Sequence, residues 1–135
     1  TPSISEGIGR VVQRDQPAAT ALIADHLKAH LGISTLRIAE SPSSPTEHAR
    51  IACCCGAGGS LLKDAQRADA TLFVTGEMRH HDVLAGVAQG MTIILAGHTH
   101  TERGFLPHLQ KRLATALPTC QCHVSQADQI PWRSY

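Results

Sequence analysis

At 135 residues, 42% of them hydrophobic, the chain is sized for one compact domain that folds without a disulfide or a metal as a prop. A net charge of +1, no long acidic or basic block and only 3% aromatic residues argue against an electrostatic grip on nucleic acid or membrane surfaces, and against base-stacking platforms. No apolar run approaches the roughly 18 residues that a membrane span needs, and no signal peptide is visible. The first residues are Thr1-Pro2, a start expected of a processed product or a piece of something longer. The five cysteines are odd in number, and Cys53, Cys54 and Cys55 are consecutive, which makes a poor disulfide framework. A reducing, cytoplasmic location is the expectation. Cys120 and Cys122 form a C-x-C pair that suits a soft metal, but the plainer reading is two small apolar strand residues.

In chain order, Gly7 to Val12 reads as a short strand after a glycine-marked turn, and Pro17 stands where a helix begins. Ile23, Leu27 and Leu31 share one helical face, and Gly32 fits a C-terminal cap. Thr35 to Glu40 alternates as a strand, and Ser41 to Pro45 is a loop by composition. Arg50 to Cys55 is an apolar strand broken by Gly56-Ala57-Gly58-Gly59-Ser60, after which Leu61 to Ala68 is a short helix. Ala70 to Thr75 and Met91 to Ala96 are continuous apolar strands, as expected where both sheet faces are covered. His80 to Gln89 has helical spacing between them, which suits a parallel crossover. Phe105, Leu109, Leu113 and Ala116 mark a last helix, with Pro107 either in its first turns or at a kink. Thr119 to Val124 reads as a closing strand, and the tail carries Trp132 and Tyr135. The sum is a single α/β domain with a mixed or mostly parallel sheet flanked by helices.

Three sharp turns follow apolar strands, and parallel strands would bring all three to the sheet edge where open α/β folds bind ligands. The first holds Gly56, Gly58, Gly59 and Ser60. Glycines admit backbone N–H groups close to an anion at a helix start, so these four are cofactor- or phosphate-binding candidates. The loop lacks both the Walker lysine and full G-x-G-x-x-G spacing, and it reads equally well as a tight strand-to-helix connection. The second turn is Thr75-Gly76-Glu77, leading into His80, His81 and Asp82. A carboxylate there binds metal, holds a ligand histidine or acts as a general base, and the plain alternative is a first-turn acid favoured by the helix dipole. The third is Gly97-His98-Thr99-His100-Thr101-Glu102. Imidazole and carboxylate are the common donors to Zn, Mn and Fe. If the segment is helical, His98 and Glu102 stand one turn apart; if it is extended, His98 and His100 share a face.

The run Val74-Thr75-Gly76-Glu77-Met78-Arg79-His80-His81-Asp82 resembles the T-G-E-x-x-H-H-D segment of the Nif-three-like family, the GTP cyclohydrolase I type 2 homologues. Gly97-His98-Thr99-His100-Thr101-Glu102-Arg103-Gly104 is similar to its G-H-x-x-T-E-R-G segment, and the resemblance spans nearly the whole chain. It implies an α/β fold of two related halves in ring-like homo-hexamers, with a pair of divalent metal ions between the halves. It further implies His98 and Glu102 as metal ligands of this half, with Glu77 close by. His100 departs from the Asn common in the family. None of the nine histidines precedes a proline, so the family's N-terminal H-P segment is missing and the chain resembles the C-terminal half alone. Two functions follow as expectations. One is metal-dependent hydrolase chemistry on a nucleotide or phosphate-bearing substrate, with Glu77 and His80 as catalytic candidates for moving a proton. The other is a non-enzymatic regulatory scaffold that binds a transcription cofactor.

Overall fold

A computed structural model describes residues 7–128 and 130–131. Its centre is a five-stranded sheet in the order β1-β3-β4-β5-β2, formed by β1 (Gly9–Ala19), β2 (Arg37–Ala39), β3 (Glu47–Ala57), β4 (Leu72–Glu77) and β5 (Thr92–Leu95). The three inner strands are parallel, with Leu72 opposite both Ile51 and Thr92, while edge strands β1 and β2 run antiparallel to their neighbours. The sheet is therefore mixed, as expected, and the two long apolar strands are buried parallel neighbours.

Side-chain alternation explains those apolar strands. Phe73, Ile93 and Leu95 face a core shared with Ala52, Leu62 and Ala65, while Leu72, Val74 and Ile94 face a second core with Ala18 and Ile23. The first core is covered by α2 (Leu62–Arg67) and α3 (His80–Ala88), the crossovers that join β3, β4 and β5. The second is covered by α1 (Thr20–Leu31), whose Ile23 and Leu27 point inward and which ends on Gly32 in the left-handed conformation. A helix on each side leaves no polar face on β4 or β5, where residues 72–76 and 92–95 are all buried. Each buried Leu, Ile, Val or Phe among them contributes roughly 1.5–3 kcal/mol of burial free energy.

Two expectations fail in the described chain. Pro17 starts no helix, because β1 runs on to Ala19 and α1 begins at Thr20. Between the pairs Gln13↔Arg50 and Ala18↔His48, β1 advances further than β3, so Pro17 lies in a bulged stretch of an edge strand, where its missing N–H breaks no ladder. Thr119 to Val124 forms no strand. Among the described residues no neighbouring strand meets it, and its one side-chain tie is Gln110 Nε2 donating to the Cys122 carbonyl at 2.7 Å. Pro107 stands in the first turn of α5 (Leu106–Ala116) and does not kink it. Trp132 and Tyr135 lie outside the described residues.

Candidate metal centre

The parallel strands β3, β4 and β5 all deliver their C-terminal ends to one edge, and the three turns meet there. β5 ends at Leu95, Gly97 turns the chain, and α4 (His98–Arg103) begins at once. The segment is thus helical, and the extended alternative that would have paired His98 with His100 is not adopted. His98 and Glu102 stand one turn apart, with Nε2 and Oε1 3.3 Å from each other. On the opposite side of the ring, His98 Nδ1 donates to Glu77 Oε1 at 2.8 Å.

This arrangement fixes the imidazole from both nitrogens. Glu77 sets the tautomer and orientation through Nδ1 and leaves Nε2 turned toward Glu102. The hydrogen bond that His98 donates to Glu77 holds the His98 pKa above the ordinary 6.5, and the Glu102 charge adds in the same direction.

Gly56 makes the approach possible. It has a φ of 64°, and a Cβ there would collide with Glu102 Oε1 and come within 3.1 Å of His98 Nε2. Its N–H donates to Thr101 Oγ1 at 3.0 Å, and its carbonyl accepts from Thr75 Oγ1 at 3.1 Å. Gly76 is equally confined, since a Cβ would lie 2.8 Å from His98 Cα. The Gly58 N–H donates to the Glu77 carbonyl at 3.1 Å. Two of the four residues read as an anion cradle, Gly56 and Gly58, therefore direct their amides to the protein itself. Gly59 and Ser60 instead line an adjoining cavity.

Other candidates are placed apart. His80 is exposed and meets His81 edge to face at 5.9 Å, outside the Glu77–His98–Glu102 cluster. His100 lines a cavity of about 500 Å³ together with Glu77 and His98, and among the described residues it forms no ion pair with Glu102. Among the described residues, no three His, Cys, Asp or Glu side chains converge as a metal-holding group. The reason lies in the ring: Glu77 and Glu102 address opposite nitrogens of His98, so they do not face one point. Sequence reasoning missed Thr101 and Thr75, whose hydroxyls tie the glycine loop to α4 and β4. It also missed Arg37, which the antiparallel pairing Arg37↔Leu95 carries to this same edge. Cys54 lies close enough to Glu102 to feel its charge, and burial above all pushes its thiol up, so it is a neutral neighbour.

The five-stranded mixed sheet with helices on both faces puts the chain in the α/β class, with the histidine–carboxylate cluster at the C-terminal edge of its parallel strands. Within that class the match is specific: the model of the Duf34/NIF3 (NGG1p interacting factor 3) family covers residues 3–131, and the chain belongs to that family. It is 38% identical over 130 residues to NIF3-like protein 1 of Mus musculus, an alignment covering 94% of this chain and 34% of that protein. It is 33% identical over 111 residues to the NGG1-interacting factor 3 of Saccharomyces cerevisiae, covering 79% of this chain and 38% of that protein. The crystal structure of Staphylococcus aureus protein SA1388 shares the fold, with a TM-score of 0.76 at 23% identity over 96% of this chain and 42% of its own. The chain thus spans about a third of the length of the curated relatives it matches. Among the described residues, no helix is long and apolar enough to cross a membrane.

Proposed function

We propose that this chain contributes part of a divalent-metal site, for Zn, Mn or Fe, in a protein that hydrolyses a nucleotide or another phosphate-bearing small molecule. The observation that carries the reading is His98 itself. Its Nδ1 is locked by a carboxylate and its Nε2 faces a second carboxylate, the arrangement of a metal-binding histidine with its outer partner. The residues fit a metal in chemistry, an imidazole nitrogen beside a carboxylate oxygen, and the missing Cβ of Gly56 keeps room beside them.

His98 and Glu102 would hold the ion, and Glu77 would keep the imidazole in register. A metal here supplies Lewis acidity toward a substrate oxygen and lowers the pKa of bound water. Two protein donors fall short of the three that catalytic zinc sites usually use. The remaining donors are expected from the longer protein, in keeping with the third of the relatives' length that this chain spans. The second ion expected in the intact family site belongs to the same proposal. His80 forms no hydrogen bond or ion pair with the cluster among the described residues, and Glu77 is the carboxylate that this reading places beside the reacting space.

Metal titration decides this reading. His98→Ala and Glu102→Ala should each abolish the metal content of the full-length protein. Glu77→Gln should weaken affinity about 10–100-fold, as removal of an outer partner does, and His100→Ala should change little. Full metal content in both His98→Ala and Glu102→Ala would refute the site.

A second reading, a regulatory scaffold with a protein partner, has its own support. The yeast relative is named as an interacting factor, and α5 presents an unfilled apolar face on which Phe105, Leu109, Leu113 and Leu117 are exposed. Homo-oligomers, hexameric by family resemblance, would use surface of the same kind. Metal-dependent turnover of a nucleotide panel by the full-length protein separates enzyme from scaffold. Light scattering at micromolar concentration tests association.

A further inference from the structure

A cavity of about 660 Å³ opens beside the candidate metal centre, lined by Arg37, Ala57, Gly59, Ser60, Glu77, Met78, Arg79 and Asp82. It shares Arg37 and Glu77 with the smaller cavity that His98 and His100 line. Its size is that of a metabolite site and exceeds what a single ion needs.

Its charges come from separate elements. Arg37 arrives from edge strand β2, and Arg79 stands immediately before α3. Elsewhere among the described residues, Arg10, Arg14 and Arg50 donate to carbonyls and Arg67 and Arg103 pair with Asp64 and Asp128, while Arg112 on α5 has neither kind of partner. Arg37 and Arg79 take part in no ion pair and no side-chain hydrogen bond among the described residues. Two carboxylates, Glu77 and Asp82, share the lining with them. Glu77 is taken by His98. Asp82 lies in the first turn of α3, close against Gly59, where a Cβ would come within 2.7 Å of its Oδ2.

We infer that Arg37 and Arg79 together clamp the phosphate group of a small phosphate-bearing substrate, with the Ser60 hydroxyl as an added donor. The substrate class deepens the hydrolase reading, but the clamp itself does not need metal. Two forked guanidinium groups supply paired N–H donors, matching the several oxygens of a phosphate better than the two of a carboxylate. The anion is therefore held by side chains, not by the glycine amides, since those of Gly56 and Gly58 serve the protein. Asp82 accepts a hydrogen bond from a donor-bearing part of the same ligand, such as a sugar hydroxyl or a ring N–H. The chain's near-neutral charge and scarcity of aromatic residues favour such a metabolite over a polynucleotide.

Inorganic pyrophosphate, titrated calorimetrically into metal-free protein at fixed salt, tests the clamp. Arg37→Ala and Arg79→Ala should each weaken binding about tenfold, and the double variant should abolish it. Both side chains are exposed, so circular dichroism should be unchanged. Arg112→Ala, on the exposed α5, should bind as the parent does. Unaltered binding in the double variant overturns the clamp, as does an equal loss in Arg112→Ala. Binding seen only after a divalent metal is added overturns it too, while leaving the metal reading intact. Binding that survives in a protein found to hold no metal sustains the clamp and defeats the metal reading.

Discussion

The C-terminal ends of β4 and β5 and the helix α5 stand at opposite extremes of packing. In β4 and β5, Leu72, Ile93 and Ile94 are fully buried and helices cover both faces. In α5 no residue is buried, although Phe105, Leu109, Leu113 and Leu117 fall at four-residue spacing along one side. The strands are apolar on both faces, whereas α5 is amphipathic, with an apolar side and a polar one. The difference is a partner. The strands find theirs within this chain, while the apolar side of α5 stays partly exposed among the described residues. The candidate site is built on the well-packed extreme. Glu77 ends β4, and His98 starts one turn beyond β5, so the cluster inherits the rigidity of the core.

Truncation in the core gives the sharpest expected contrast. Phe73→Ala removes a 1% exposed ring from between β4 and the α2–α3 layer. It should cost about 3–5 kcal/mol in urea unfolding, the usual range for a large-to-small change in a close-packed site. A loss below about 1 kcal/mol would mean that the core is looser than its burial indicates. Gly56→Ala comes next. It places a side chain at positive φ and drives its Cβ into Glu102 Oε1, so both strain and collision act. The expected cost is roughly 1–3 kcal/mol, together with displacement of Glu102 from His98. Unchanged stability in Gly56→Ala would show that the loop relaxes freely.

Much of this was legible in the sequence, for identifiable reasons. Continuous apolar runs marked β4 and β5, because strands covered on both faces lose their polar alternation. Gly32 marked the end of α1, because only the left-handed conformation closes that helix. At the site, the four-residue spacing of His98 and Glu102 was readable, but its meaning depended on whether α4 began at His98. Arg37 was invisible as a site residue, because only the pairing of β2 with β5 brings it to the edge. The register shift that absorbs Pro17 depends on long-range pairing with β3 and has no local signal. Thr119 to Val124 has a strand's alternation, but a strand needs a ladder, and among the described residues none is offered.

Acid provides a milder probe of the packed region. His48 is fully buried on β3, with Nε2 3.1 Å from Thr20 Oγ1 and Nδ1 2.9 Å from Thr71 Oγ1. Burial pushes its pKa below the ordinary 6.5, with Glu40 opposing weakly. On unfolding, His48 regains the higher value, so below about 6.5 the unfolded chain binds the proton first. Its contribution to stability is therefore complete above that pH and declines as the pH falls through 6.5 toward the folded pKa. The slope from one such group is at most about 1.4 kcal/mol per pH unit. Denaturant midpoints between neutral and mildly acidic pH should fall more steeply in the parent than in His48→Gln, which keeps hydrogen-bonding capacity but does not titrate. Parallel curves would remove His48 from the acid response.

The smallest effect on stability is expected at α5, and its smallness is the informative part. Leu109 and Leu113 are each 38% exposed and lie one turn apart on the unpartnered face. Replacing either with Ser removes no core contact and leaves no cavity in this chain. The unfolding free energy should move by no more than about 0.5 kcal/mol, the ordinary range for surface changes. Leu106, half-buried on the same helix, provides the internal comparison, and Leu106→Ser should cost more. If the apolar face is an interface, the Leu109→Ser and Leu113→Ser variants should shift light scattering of the full-length protein toward smaller species while leaving the unfolding of this chain intact. A loss of several kcal/mol in this chain would show that the helix already packs against its own fold, and the contrast with the strands would collapse. An unchanged assembly would assign association to another surface. Only an interface moves association without moving the stability of the isolated chain, because the free energy it contributes is absent until the partner arrives.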